Sequence, residues 1–361
     1  MTTAHINAIA TAVPPHDVHG AFVAFARTLL PDDRARFVFD RMADRAGIAH
    51  RWSDFAPGVP GAARVDADGF YVRGAFPGTG ARMALYATRA ADLAERAARQ
   101  LDLTGVTHLV VASCTGFTAP GLDQLLAERL CLGPSIERSL IGFMGCYAAV
   151  PALRTARHIV RSEPGARVLV VNAELCTLHL QETPELEKVL SFLLFGDGAT
   201  AAIVSADPHG IALHDFHSVA LPDTQDLITW AIGDQGFDMV LSGRVPARIG
   251  TALRAVADRA PTDRATADRA TAGMLLDRPP ATTPHWAVHA GGRTVLDAVQ
   301  AGLRLPSTAL APSRAVLHDV GNVSSATLMF VLARMMGQPG PGVGMAFGPG
   351  LCAETFRFTV L

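Results

Sequence analysis

Apolar residues along the chain fall into short unbroken runs, separated by stretches in which they recur every three or four positions. The runs THLVVAS (107–113), RVLVVNAE (167–174), ATAAIVSA (199–206), HWAVHA (285–290) and RAVLHDV (314–320) predict buried strands. Residues 83–101 place apolar side chains at helical spacing with Arg and Glu between them, and 146–162 and 324–336 repeat the pattern. Strands alternating with helices predict an α/β fold. At 361 residues the chain exceeds what one core usually holds, about 250–300 residues, so two halves are expected. The turn-rich SADPHG places the division near 206–212, giving halves 1–208 and 209–361. The near-repeat DRAPT DRATA DRATA (258–272) fits neither period and reads as a surface insertion near 258–275 without chemistry.

Composition narrows the class. Hydrophobic residues make up 49% and charged residues only 18%, below the usual share of about 25%, which predicts that part of the surface is covered by a second subunit. A net charge of −2 offers no basic excess for a nucleic-acid partner. The N-terminal MTTAHINAIATAVPP lacks the pattern of a signal peptide, and no apolar run of about 20 residues predicts a membrane span. The five cysteines, 114, 131, 146, 176 and 352, form no C-x-x-C pair; their odd number and scatter predict a reduced, cytoplasmic protein without a disulfide framework or a zinc site.

Three junctions carry candidate chemistry. In IGFMGCYAAVPALRTARHIV (141–160), Cys146 follows a glycine and opens a helical pattern, where the positive end of the helix dipole favours thiolate. In HWAVHAGGRTVLDAV (285–299), His289 ends an apolar run beside a glycine turn, the place where α/β folds hold ligands. In LHDVGNVSSATLMFVLARM (317–335), Asn322 lies in a turn expected between a strand and a helix. Each alone also fits a buried thiol, a core imidazole or a helix cap. His285 and His318 read as structural.

Taken together, cysteine, histidine and asparagine in this order resemble the thiolase-like condensing enzymes, and the chain is identified as a member of the type III polyketide synthase group of the chalcone synthase superfamily. The resemblance covers roughly residues 30–361 and rests on the GC helix, LFGDGATAAIV (194–204), HAGG (289–292), GNVSS (321–325) and GMAFGPGLCAETF (344–356). It implies a duplicated αβαβα thiolase-like fold and a homodimer. It also implies decarboxylative condensation of malonyl-CoA units onto a CoA-linked acyl starter, with no metal and no cofactor beyond CoA. Cys146 would be the nucleophile; His289 would hold it as thiolate and, with Asn322, donate to the malonyl thioester oxygen as CO2 leaves. Phe195 matches a gatekeeper between CoA tunnel and cavity, while the second gatekeeping phenylalanine is replaced by Met239. Arg41 and Arg45 match CoA-binding cations, a third such position is Val38, and Arg293 is a further candidate for phosphate. Cys114, Cys176, His179, Trp230 and Ser324 match cavity positions; plant members carry Thr at the first, and tetrahydroxynaphthalene-forming members Cys.

Products of the pyrone, resorcinol or phloroglucinol type are implied, and bacterial relatives favour a fatty acyl starter. Two other readings compete. A fatty-acid-initiating ketoacyl synthase uses the same three residues but usually follows the histidine with Q-A-N, where this chain has A-G-G. A non-catalytic acyl-CoA-binding scaffold would leave Cys146 no more reactive than free cysteine.

Overall fold

The computed structural model describes residues 2–258 and 284–361. The near-repeat of the expected insertion lies outside the described residues, apart from Asp258. Among the described residues thirteen strands occur: β1 Ala4–Ala12, β2 His16–Asp17, β3 Trp52–Ser53, β4 His108–Ser113, β5 Glu137–Gly142, β6 Val168–Leu175, β7 Asp197–Ser205, β8 Ile211–Ala220, β9 Ile228–Gly233, β10 Gly236–Leu241, β11 His285–Val288, β12 Gly340–Gly348 and β13 Cys352–Val360. The helices are α1 His19–Leu29, α2 Asp33–Arg45, α3 Thr79–Ala98, α4 Leu122–Arg129, α5 Ala149–Ser162, α6 Leu186–Phe192, α7 Val245–Ala257, α8 Arg293–Gly302, α9 Ala311–Val320 and α10 Thr327–Ala333.

Nine strands share one hydrogen-bonded sheet in the order β11-β12-β13-β8-β1-β7-β6-β4-β5. Read outward from its middle, β1-β7-β6-β4 and β8-β13-β12-β11 follow the same plan, each beginning with its own first strand, and the fold is thiolase-like. The two inner strands β1 and β8 join the halves through Ala4 to Ile6 paired with Leu213 to Ile211.

Side chains sort by face. Val110, Val170, Val204 and Ile211 point into a central layer filled by α5 and α10, whereas Leu109, Leu169, Val171 and Ala201 point to α3 and α4. On the other half Trp286, Val288, Val343 and Met345 face α7 and α8. Helices therefore cover both faces, and the central ones are enclosed by sheet. That is why β4, β6 and β7 are buried at every residue and read as continuous apolar runs. It is also why α10 is buried from Thr327 to Leu332 without a polar stripe.

One expectation is corrected. RAVLHDV (314–320) belongs to helix α9, which has Pro312 in its first turn and buries Ser313, Val316, Leu317 and Val320. Those positions follow the i, i+3, i+4, i+7 spacing of a helix face. Asn322 consequently stands between two helices, not between a strand and a helix. The chain leaves α9 through Gly321, whose φ of 77° lies in the region that only glycine adopts freely.

Candidate active site

Cys146 lies in a 3-10 turn, Gly145–Tyr147, that leads into α5. The turn is tight for a reason visible on its far side. Gly145 has a φ of 69°, and a Cβ there would lie 2.6 Å from Cδ of Pro349. A Cβ at Gly348 would lie 2.5 Å from the Tyr147 ring. The GPG segment after β12 thus packs directly under the cysteine turn, and glycine is needed on both sides of the contact.

The Asn322 turn approaches from the other half. Its backbone pairs with Phe195 in a parallel bridge: Asn322 N donates to Leu194 O at 2.9 Å, and Gly196 N donates to Asn322 O at 3.0 Å. Its side-chain Oδ1 accepts from Ser324 N at 2.9 Å and Thr327 Oγ1 at 3.3 Å. These bonds fix which end of the carboxamide is oxygen. Nδ2 is left as the outward donor, reaching only Gly291 O at 3.3 Å. Ser324 Oγ lies 3.8 Å from Cys146 Sγ. Ser324 holds a φ of 48°, a strained value for a residue with a side chain.

His289 follows β11, and its backbone N donates to Met345 O at 2.8 Å. Its ring is 1% exposed, yet neither Nδ1 nor Nε2 has a hydrogen-bond partner among the described residues. Burial lowers its pKa to about 3, so the imidazole rests neutral. Burial likewise pushes the Cys146 thiol up to about 11, against the opposing effects of Ser324 and Asn322. Burial thus works against both the expected thiolate of Cys146 and protonation of His289.

Behind the thiol lies a buried carboxyl the sequence reading missed. Glu174, at the end of β6, accepts from Cys114 N at 3.0 Å, Thr115 Oγ1 at 2.8 Å, Cys114 Sγ at 3.4 Å and Ser325 Oγ. Burial raises its pKa despite these donors. Cys114 Sγ in turn meets Ser324 Oγ at 3.0 Å. A continuous hydrogen-bonded chain thus runs from Glu174 through Cys114 and Ser324 toward Cys146. Its one sequence signal was an acidic residue closing the largely apolar run RVLVVNAE.

Several of the other expected cavity residues pack against one another. His179 Nε2 meets Thr115 O at 2.7 Å, and its Nδ1 accepts from Phe237 N at 3.0 Å. The ring stacks on Phe237 at 4.2 Å and meets Trp230 edge-on, and burial lowers its pKa to about 3. Trp230 Nε1 donates to Cys114 O at 2.7 Å, and Met239 faces Trp230 across the β9–β10 hairpin. Cys114 and Cys176 are buried thiols with pKa values well above the ordinary one, desolvation being the main cause. All five cysteines are free.

Arg41 and Arg45 are exposed on α2, and Arg293 Nη1 donates to Arg45 O at 3.2 Å. The three cations expected to meet phosphate therefore share one surface, at the start of α8 just beyond His289. Val38 stands 38% exposed on the same helix. A second missed residue is Arg51, 2% exposed, which donates through Nη1 to Phe192 O at 2.8 Å and Phe195 O at 2.6 Å, holding the Phe195 segment in place. Among the described residues no group of three or more His, Cys, Asp or Glu is arranged to hold a metal, and no helix is long and apolar enough to cross a membrane.

Comparison with known proteins shows the family. Residues 2–208 match the family model for the N-terminal domain of chalcone and stilbene synthases, and residues 213–361 the C-terminal domain. Bisdemethoxycurcumin synthase of Oryza sativa subsp. japonica is 32% identical over 97% of this chain and 91% of its own length. The alpha-pyrone synthesis polyketide synthase-like Pks18 of Mycobacterium tuberculosis is 31% identical over 75% of this chain and 70% of its own. Among solved structures, PKS-I from the brown alga Ectocarpus siliculosus superimposes with a TM-score of 0.85 at 28% identity, covering 100% of this chain and 99% of that one.

Proposed function

From a chain that belongs to the chalcone and stilbene synthase family, and is a type III polyketide synthase, we infer a reaction centre of Cys146, His289 and Asn322 that works on CoA thioesters. The observation that carries this reading is the orientation of Asn322. Its oxygen is pinned by Ser324 and Thr327, so its NH2 group can only donate, beside an imidazole whose two nitrogens are unspent. Two neutral donors next to a thiol suit the sequence of charges in a decarboxylative condensation.

The cycle begins with Cys146 attacking the thioester carbonyl of an acyl-CoA starter. His289 takes the thiol proton as the C–S bond forms, since a resting thiolate is disfavoured, and returns a proton to the departing CoA sulfur. Malonyl-CoA then binds with its thioester oxygen toward His289 and Asn322. The C–C bond to its carboxylate breaks, CO2 leaves, and the electron pair becomes an enolate held by both donors; each such donor lowers a barrier by about 3–4 kcal/mol. The enolate carbon attacks the acyl carbonyl on Cys146, the thiolate leaves, and the extended chain emerges on CoA, ready to reload. Phe195, bridged to Asn322, presents an apolar ring that disfavours the malonyl carboxylate and so favours its loss.

Arg41, Arg45 and Arg293 serve the CoA phosphates, which a shared cationic surface suits. Cys114, Cys176, His179, Trp230, Met239 and Ser324 shape the chamber in which the chain folds and cyclises. The chain works as two halves, 1–208 and 209–361, in a homodimer of a cytoplasmic enzyme that needs no cofactor beyond CoA. The edge strand β5 supports the dimer, because it has a neighbour on one side only and Leu140 on it is 46% exposed.

Purified protein incubated with malonyl-CoA and a panel of acyl-CoAs, with products weighed by mass spectrometry, tests the reading. Products heavier than the starter by successive condensed units support it. Cys146→Ala should abolish them while leaving malonyl-CoA decarboxylation measurable. Products from Cys146→Ala equal to those of the wild type would remove Cys146 from its role.

A further inference from the structure

We propose that Arg51 is a positioning residue for the condensation: by clasping the two chain segments that meet at the Phe195–Asn322 bridge, it sets the aim of the Asn322 donor. The inference rests on the role given above to Asn322, as a donor to the malonyl thioester oxygen. The first segment is the turn from α6 to β7. Its carbonyls at Phe192 and Phe195 accept from Arg51 Nη1 at 2.8 and 2.6 Å. Carbonyls at and beyond the end of a helix lack intrahelical partners, and one guanidinium serves both here. The second segment is the turn from α9 to α10. A Cβ at Gly321 would lie 2.9 Å from Arg51 Cγ and 3.1 Å from Leu194 O, so the arginine stem and the first segment both press on the residue before Asn322. The backbone bonds of Asn322 to Leu194 and Gly196 then join the two segments.

Three observations single out this side chain. First, it is fixed from several sides. Nε donates to His19 Nδ1 at 3.0 Å, the guanidinium lies 4.5 Å from the centre of the Phe22 ring, and the backbone N donates to Asp17 Oδ1 at 3.2 Å. Second, the arginine is 2% exposed, yet its side-chain hydrogen bonds go to two carbonyls and an imidazole rather than to a carboxylate. Burying a cation in this way carries a desolvation cost that a well-packed apolar side chain avoids, which argues for a task other than folding. Third, packing alone does not hold the Phe195 segment. Phe192 and Phe195 both line a cavity of about 330 Å³ between α1 and the segment 55–73, so part of their surface meets open space. The bonds from Arg51 secure the main chain where side-chain contacts are missing. Release of the segment would move Leu194 O and Gly196 N, the two backbone partners of Asn322, and turn Nδ2 away from the thioester oxygen. Loading of the starter needs Cys146 and His289 and is spared.

The test follows two half-reactions: CO2 release from malonyl-CoA, and acylation of Cys146 by hexanoyl-CoA, read as the mass of the intact protein. Arg51→Met keeps the apolar stem and removes the donors. It should lower CO2 release about 10–100-fold, the scale of a group displaced by about 1 Å, and change the acylation rate by less than about threefold. Asn322→Ala and the double variant Arg51→Met/Asn322→Ala complete a cycle. Because Arg51 acts through Asn322, the double variant should release CO2 within about threefold of Asn322→Ala alone. Arg51→Lys keeps the charge and reaches one carbonyl; it should fall between Arg51→Met and wild type, and it carries the same cycle if the methionine variant misfolds. Losses that multiply in the double variant, or equal losses in both half-reactions, would overturn the positioning role. So would CO2 release that is lost in Asn322→Ala but unchanged in Arg51→Met, an outcome that leaves the synthase reading intact. Unchanged CO2 release in Asn322→Ala would instead sink the donor role of Asn322 on which the proposal stands.

Discussion

Two buried imidazoles, His179 and His289, are each 1% exposed and each held near a pKa of about 3 by burial, yet their surroundings are opposite. His179 has both ring nitrogens committed to backbone, one to Thr115 O and one to Phe237 N, and is clamped between Phe237 and Trp230. His289 has neither nitrogen committed. Leaving a buried donor and acceptor unmade costs stability, about 1–3 kcal/mol each, so the second arrangement is retained for something other than folding. The difference teaches that perturbed ionisation does not separate the two imidazoles. Unspent hydrogen-bonding capacity does.

The largest test of that contrast is His289→Gln. Removal of an oxyanion donor should lower malonyl-CoA decarboxylation about 10²–10³-fold, while urea stability stays within about 1 kcal/mol. A stability loss larger than the activity loss would reverse the assignment. The mirror experiment, His179→Gln, should cost about 1–3 kcal/mol in urea unfolding, because Thr115 O or Phe237 N loses its partner. Its effect on kcat should be smaller than that of His289→Gln.

Acid provides the next discrimination. Both imidazoles are lowered from 6.5, so the unfolded chain binds their protons first. Their contribution to stability is complete above pH 6.5 and is lost as pH falls toward 3, by about 1.4 kcal/mol per pH unit for each. The urea midpoint measured between pH 7 and pH 5 should fall less steeply in His179→Gln than in wild type. An equal slope would mean that His179 takes its proton in the folded state. The smallest effect concerns the thiol. Alkylation of Cys146 by iodoacetamide should keep rising beyond pH 9, as a pKa raised to about 11 requires, and a plateau below pH 8 would restore the resting thiolate.

Much of the scaffold was legible because sheets covered on both faces write continuous apolar runs, and β4, β6, β7 and β11 were found within a few residues of their ends. RAVLHDV misled for the same reason. A short helix buried on one broad face, in a seven-residue window, shows the same crowding of apolar residues, and only Pro312 just ahead of it marked a helix start. Cys146 and His289 were legible through their glycines, which record a tight turn. Glu174 and Arg51 were not, because their importance lies in partners far along the chain: Ser325 is 151 residues from Glu174, and Phe195 is 144 from Arg51. The cavity beside α1 is built from that helix, the 55–73 segment and the ends of β6 and α6, and no local pattern announces such a convergence.

Pro349 beneath Gly145 has a consequence for the order of events in the cell. The cysteine turn is made early during synthesis, but its floor is supplied some two hundred residues later, next to β13. A nascent chain therefore carries an incomplete Cys146 turn until its closing strands have emerged and docked.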